Sequence, residues 1–304
     1  MKASVFAPGS VGNVGPGFDV LGLAVGGLGD TVTVSVGAAA LGRPAPEAGA
    51  ATHVCGRDAE MIPTDPSKNA AAIAANAMLR RLGRKETIAV TIEKGLPVSG
   101  GIGGSASSSV AGAYAAALAC GVTPSHEDII LAALAGEEAV SGRHLDNIAP
   151  ITLGGLVLSR SIEPLDVVKL ATPDWRVVLV RPNARIETKK ARAILPQQWD
   201  LWTQQMANTA ALIHAFATAD GALARRALDD LYAEPRRAAL IPRFDEIKRA
   251  ALDAGAFGCS ISGSGPTIFA LADAPDAERI AKAMTIGDCE VRIADIDHQG
   301  ARPV

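Results

Sequence analysis

The stretch 97-PVSGGIGGSASSSV-110 decides how this chain is read. Four glycines fall in five positions (Gly100, Gly101, Gly103, Gly104), which removes side chains where backbone has to approach a ligand closely. An apolar helix from about Ser105 to Cys120 follows directly, so free N–H groups and the positive end of the helix dipole face whatever the loop holds. A polyphosphate is the natural guest; the plain alternative is a flexible turn capped by serines. Known phosphate loops do not fit. No Gly-Lys-Ser/Thr occurs in the chain, which removes Walker A. The third glycine of a dinucleotide fingerprint is missing after Gly101-Ile-Gly103. His144-Leu-Asp146 echoes a protein-kinase catalytic loop, but no D-F-G follows.

On either side of the loop the elements alternate in type. Asn69 to Leu82 reads as an Ala-rich helix stopped by Gly83, and Thr87–Ile92 alternates as a strand. Ser125-His-Glu-Asp128 is a capping signature for a helix to about Val140. Upstream, Lys2–Phe6 and Asp30–Val36 read as strands around a glycine-rich turn from Pro8 to Gly17, and residues 38–50 read as a surface loop. Beyond Pro150, strands at Leu153–Leu158, Trp175–Val180, Phe257–Ile261, Thr267–Leu271 and Glu290–Ile296 mix with helices near 198–217, 221–232, 243–254 and 276–285. This order lacks the rhythm of a doubly wound sheet, so the expectation is α+β in two domains, 1–160 and 161–304.

Composition narrows the function classes. The 304 residues suit two domains. A net charge of −3 and 4% aromatic residues argue against a nucleic-acid partner, which needs a basic surface and stacking platforms. Cys55, Cys120, Cys259 and Cys289 lie far apart with no metal-ligand spacing, as expected of reduced thiols in a cytoplasmic protein. No apolar run approaches the roughly 18–20 residues of a membrane span.

Three segments together resemble a known family. The P-x-x-x-G-[IL]-G-x-S-[AS] pattern at Pro97–Ala106 is similar to motif 2 of the GHMP kinases, small-molecule kinases whose glycine-serine loop covers the ATP phosphates. 7-APGSVGNVGPGFDVLG-22 resembles motif 1, and 258-GCSISGSGPTIFAL-271 resembles motif 3, whose glycine turn approaches the nucleotide. N-x-G-x-G-F-D at Asn13–Asp19, H-x-D-N-x-A-P at His144–Pro150, T-K-x-A-R at Thr188–Arg192 and E-P-x-R at Glu234–Arg237 resemble the homoserine-phosphorylating branch. The resemblance implies an N-terminal domain like ribosomal protein S5 domain 2 and a ferredoxin-like C-terminal domain. It also implies ATP and Mg²⁺ as cofactors, L-homoserine as substrate and a homodimer as the assembly.

The resemblance assigns candidate residues. ATP would contact Asn69 and the loop Pro97, Val98, Ser99, Gly100, Gly101, Ile102, Gly103, Gly104, Ser105, Ala106 and Ser107, together with Gly263, Ser264 and Gly265. Ser105 and Glu137 would hold magnesium, which favours one or two carboxylates plus phosphate oxygens; Glu138 is the alternative to Glu137. The family commonly has two serines where this chain has Gly104 and then Ser105. Homoserine is a zwitterion: its ammonium needs an acceptor such as Asp19, assisted by Asn13, and its carboxylate needs an arginine fork. Arg192 and Arg237 match, with Thr188 nearby in the motif. Asn147 and His144 would flank the reacting hydroxyl, and Asp146 is the candidate base if one is used. Read without the resemblance, Ser105 is a helix cap, Asn13 and Asp19 are turn residues, and Asn69 is a polar helix start.

Overall fold

A long antiparallel pair, β1 (Lys2–Gly12) and β2 (Leu21–Val36), is the spine of the first sheet. The computed structural model describes residues 1–37, 51–184, 186, 191, 194 and 202–304. The loop expected at 38–50 lies outside them. Beyond β2 come β4 (Ile88–Lys94), antiparallel to it, and β3 (Ala51–Gly56), parallel to β4 across a crossover that carries α1 (Ala70–Arg81). The start of β2 pairs instead with β5 (Leu156–Ser161), which pairs with β6 (Asp166–Leu170). The C-terminal β11 (Arg302–Pro303) returns to the free side of β1.

Pro8 to Gly12 is strand, not turn. Pro8 pairs with Gly29 and Gly9 with Val25, so three residues of β2 bulge out at this point. A bulge is where a sheet tolerates a proline that cannot donate to the ladder. The glycine-rich turn therefore begins only at Asn13, whose φ is +67°.

Helices α1, α2 (Gly104–Ala119), α3 (His126–Val140) and α4 (Ile148–Leu153) cover one face of this sheet. α2 is buried almost all round, as its alanines and small serines require of a central helix. The close approach of α2 and of α3 to α1 rests on one glycine each. A Cβ at Gly112 would stand 2.5 Å from the Ala71 carbonyl oxygen, and one at Gly136 would stand 2.4 Å from that of Ala70. The caps follow the sequence reading: Asn69 accepts from Ala72 N–H at 3.1 Å and Ser125 from Asp128 N–H at 3.1 Å.

The second sheet runs β10 (Cys289–Asp295), β7 (Arg176–Pro182), β9 (Ile268–Ala272), β8 (Gly258–Ile261), all antiparallel. One face packs Val178, Val180 and Ile268 against α7 (Phe244–Asp253) and α8 (Ala277–Met284). The other packs Val177, Leu179 and Phe269 against Val11, Leu23 and Val25 of the first sheet and against α5 (Trp202–Thr218) and α6 (Gly221–Ala227). This shared core makes the two sheets α+β neighbours across a continuous apolar seam, which fixes the loops at its edge.

Candidate active site

The three glycine segments converge on one place. Gly263 N–H donates to the Gly12 carbonyl at 3.0 Å, and Ser10 N–H donates to the Ile102 carbonyl at 3.2 Å. Ser262 Oγ donates to the Gly101 carbonyl at 2.6 Å and Thr267 Oγ1 to that of Gly100 at 2.5 Å. Gly101 has φ +77°, and a Cβ there would meet the Gly265 carbonyl oxygen at 2.6 Å. No other residue fits where two backbones touch in this way. The start of the loop is held separately, by Asp58 Oδ2 accepting from Val98 N–H at 3.0 Å.

Beside this junction opens a cleft of about 420 Å³. α2 points its N-terminus into it, and the residue capping that helix is Gly103 at φ +69° with no side-chain cap. Ser105 is thus not the cap expected of it; it sits two residues further in, as the second residue of the helix. The first N–H groups of α2 have no helical partner and carry the positive end of the helix dipole, an arrangement made for anions. A Cβ at Gly104 would stand 3.2 Å from the Pro97 carbonyl oxygen, a tight contact that a shift of a few tenths of an ångström would relieve.

Ser105 Oγ donates to Glu137 Oε1 at 3.1 Å, and Ser141 Oγ donates to the same oxygen. The other oxygen, Glu137 Oε2, is buried without a hydrogen-bond partner among the described residues. Burial pushes the Glu137 carboxyl up from the ordinary range, while Ser141, Ser105 and the Lys94 charge pull it back toward the ionised form. Glu138 is exposed and does not line the cleft. Gly136 is what lets α3 approach α1 closely enough to bring Glu137 in.

At the opposite wall Ser10 Oγ donates to Asn147 Oδ1 at 2.8 Å. Gly12 makes room for this pair: a Cβ there would lie 2.6 Å from Asp146 Oδ2 and 2.8 Å from Asn147 Nδ2. His144 Nδ1 lies 3.9 Å from Asp19 Oδ2. Asn13 Oδ1 accepts from Asp19 N–H at 2.9 Å while its Nδ2 donates to the Gly263 carbonyl at 3.1 Å, so Asn13 ties the motif 1 turn to motif 3. Arg237 is only 2% exposed; its Nη1 donates to the Gly263 carbonyl at 2.9 Å and its guanidinium lies 5.4 Å from the Phe18 ring centre.

The cleft brings together Asn13, Asp19, Asn69, Pro97 to Gly101, Gly103 to Ser105, Glu137, His144, Asp146, Asn147, Arg237, Gly263 and Ser264. Ile102, Ala106, Ser107 and Gly265 are buried and do not line it. Ile102 joins the inter-sheet core, and Ser107 Oγ donates to the Ala7 carbonyl at 2.8 Å. Thr188 and Arg192 lie outside the described residues. Sequence reasoning missed a buried ion pair beside the loop, Asp30 with Lys94. Lys94 Nζ also donates to the Gly104 carbonyl at 3.0 Å and to Ser108 Oγ at 3.1 Å, while Asp30 Oδ1 accepts from Gly95 and Leu96 N–H, each at 3.1 Å. A lone Asp and a lone Lys 64 positions apart carry no pattern that could have revealed this.

Known proteins are similar to this chain in sequence and fold. The family model described as the GHMP kinases N-terminal domain matches residues 69–155, and the one for the GHMP kinases C-terminal region matches 212–287. A homoserine kinase of Chloroherpeton thalassium is 41% identical over 92% of this chain and 90% of its own. The chain belongs to the homoserine kinases of the GHMP kinase family. A homoserine kinase of Arabidopsis thaliana is 40% identical over 92% of this GHMP kinase and 76% of the plant protein. The crystal structure of homoserine kinase from Cytophaga hutchinsonii superposes with a TM-score of 0.89 at 38% identity, covering 100% of this chain and 97% of that one. A mevalonate kinase with 12% identity and a TM-score of 0.69 shares the GHMP fold. The α+β fold and the kinase class expected from the motifs are thus those of the family.

Proposed function

We propose that this GHMP kinase transfers the γ-phosphoryl group of ATP to the side-chain hydroxyl of L-homoserine, giving ADP and O-phospho-L-homoserine for threonine biosynthesis. The observation that carries the reading is the opposition, within one cleft, of the uncapped α2 N-terminus and the Asn147–Asp19–Arg237 wall. The backbone N–H groups of Gly104 and Ser105 take the phosphates, with Ser99 and Ser264 at the sides of the cleft. Asn69 and the residues around Pro63 serve the nucleobase end.

The residues present fit a magnesium ion: Glu137 Oε2 is buried and unpaired among the described residues, and the Ser105 hydroxyl is bonded to the same carboxylate through Oε1, a hard-oxygen pair of the kind magnesium takes along with phosphate oxygens. When bound, magnesium neutralises charge on the β- and γ-phosphates. Glu137 and Ser105 would hold it.

On the acceptor side Asp19 receives the ammonium and Arg237 the carboxylate. Arg192 and Thr188 are proposed to complete that end. Asn147 is oriented by Ser10: with Oδ1 accepting from the serine, its Nδ2 is left to donate toward the reacting oxygens. Transfer through a loose transition state depends on position and charge, so no strong base is required; His144 and Asp146 complete the catalytic group beside Asn147.

Titration of the protein with L-homoserine and with 4-hydroxybutyrate, which lacks the ammonium, tests the acceptor assignment. The amino acid should bind at least about tenfold more tightly, the scale of one charge-assisted hydrogen bond. Equal affinities would contradict the role of Asp19.

A further inference from the structure

A second, smaller cavity of about 30 Å³ lies between the two sheets, behind the glycine loop. Ile102 and Thr267 line it, and both hold the loop through the contacts described above, so the loop itself separates this cavity from the ATP cleft. Three arginines converge here from three strands: Arg57 just past β3, Arg181 in β7 and Arg292 in β10. Glu290 is the carboxylate among them. It stands opposite Arg181 in the β7–β10 register, two residues from Arg292 on the same face, and accepts from Arg57 Nη2 at 2.5 Å.

Three guanidiniums against one carboxylate leave the cavity strongly positive, although the chain as a whole carries −3. The surplus is not satisfied from within. Among the described residues, Arg181 Nε is buried and has no hydrogen-bond partner, a costly state for a charged group unless an acceptor arrives. The same three arginines hold the Glu290 carboxyl below the ordinary range, Arg57 through its hydrogen bond foremost. Arg292 and Glu290 are exposed, so the cavity is reached from solvent. Guanidinium forks from several directions match a tetrahedral oxyanion better than a flat carboxylate, which one fork already satisfies.

We propose that the Arg57–Arg181–Arg292 cavity is a second anion site of this chain, binding a phosphate group behind the loop that covers the ATP phosphates. Inorganic phosphate and the phosphoryl end of a phosphomonoester share the chemistry. Two neighbouring contacts put an anion there next to the loop's anchors: Asp58, adjacent to Arg57, holds Val98 N–H, and Thr267 holds Gly100.

The test is calorimetric titration of inorganic phosphate into the full-length protein saturated with L-homoserine and the magnesium complex of AMP-PNP, an ATP analogue with a non-transferable γ-phosphoryl group, at constant ionic strength in chloride. The analogue fills the γ-phosphate position and so closes the ATP cleft to phosphate, leaving one expected site. Arg181→Gln combined with Arg292→Gln should weaken that site at least about tenfold while leaving kcat unchanged, as loss of charge-assisted hydrogen bonds predicts. Glu290→Gln, which removes the competing carboxylate, should tighten it, a gain that misfolding cannot produce. Absence of phosphate binding in the saturated protein, or equal affinity in the double arginine variant, overturns the proposal. A parallel titration with O-phospho-L-homoserine assigns the source: tighter binding than phosphate marks a phosphomonoester site, weaker binding a site for free phosphate.

Discussion

Ser10 and Asn147, 137 positions apart, meet through a 2.8 Å hydrogen bond from the serine hydroxyl to Asn147 Oδ1, and the strand and the helix start that carry them are held in contact by glycines. A Cβ at Gly103 would stand 2.2 Å from that hydroxyl. The bond decides which end of the Asn147 amide is free, and therefore what the cleft offers a reacting hydroxyl.

Removing the hydroxyl in Ser10→Ala should leave the fold and the KM for ATP in place while kcat falls. A drop of about 10- to 100-fold is expected, the usual effect of a misplaced positioning group. Steady-state kinetics with both substrates varied checks this. An unchanged kcat would remove Ser10 from the account.

Glu137 has its carboxyl pushed up by burial, so the folded state binds its proton more tightly than the unfolded state does. Stability contributed through this group is highest when it is protonated and falls as pH rises above its ordinary value of 4.5. Glu137→Gln should therefore melt higher than the parent at pH 7 in the absence of ligands, with the difference shrinking toward pH 4.5. Activity should fall by about 100-fold or more, since a carboxylate serving the metal in transfer is lost. Thermal melts across pH, paired with rates, separate the two effects.

Arg237 is buried against Gly263 and the Phe18 ring. Arg237→Ala should raise the homoserine KM by the equivalent of about 2–5 kcal/mol and spare the KM for ATP. Arg237→Lys should not rescue it, because a point charge cannot reproduce the planar fork. A homoserine KM unchanged in either variant would move the carboxylate elsewhere.

The Asp30–Lys94 pair anchors the start of α2. Lys94→Met alone leaves a buried charge unpaired and should cost about 3–5 kcal/mol of stability, whereas adding Asp30→Asn should recover part of it. Urea denaturation of the two variants gives the comparison.

The elements that were plain in the sequence are those whose signals are local. α1 and α3 announce themselves by caps, Asn69 and Ser125, and by Gly83 after α1, whose φ is +66°. β3, β6 and α4 were not read. α4 carries Pro150 in its first turn, where the missing N–H costs nothing, and the proline reads as a break. The helix expected at 221–232 stops at Ala227, because Asp230 accepts from the Tyr232, Ala233 and Glu234 N–H groups and starts a new turn. In the site, the glycine loop was legible because its spacing carried it, whereas Glu137 was expected only through the family resemblance, after Gly136 and with Glu138 as the alternative. The work of Ser10, Ser141 and Lys94 was not, because each acts through a partner remote in sequence or through burial, which one chain of letters does not display.

The central claim is that the glycine loop and the Asn147–Arg237 wall serve one reaction, and ADP release tests it most directly. The protein is supplied with MgATP and, in separate reactions, L-homoserine, mevalonate, shikimate, L-threonine or no acceptor. The account predicts rapid ADP release with L-homoserine and background rates with the others. Turnover with an uncharged or non-zwitterionic alcohol, or none with homoserine while both ligands bind, would contradict it.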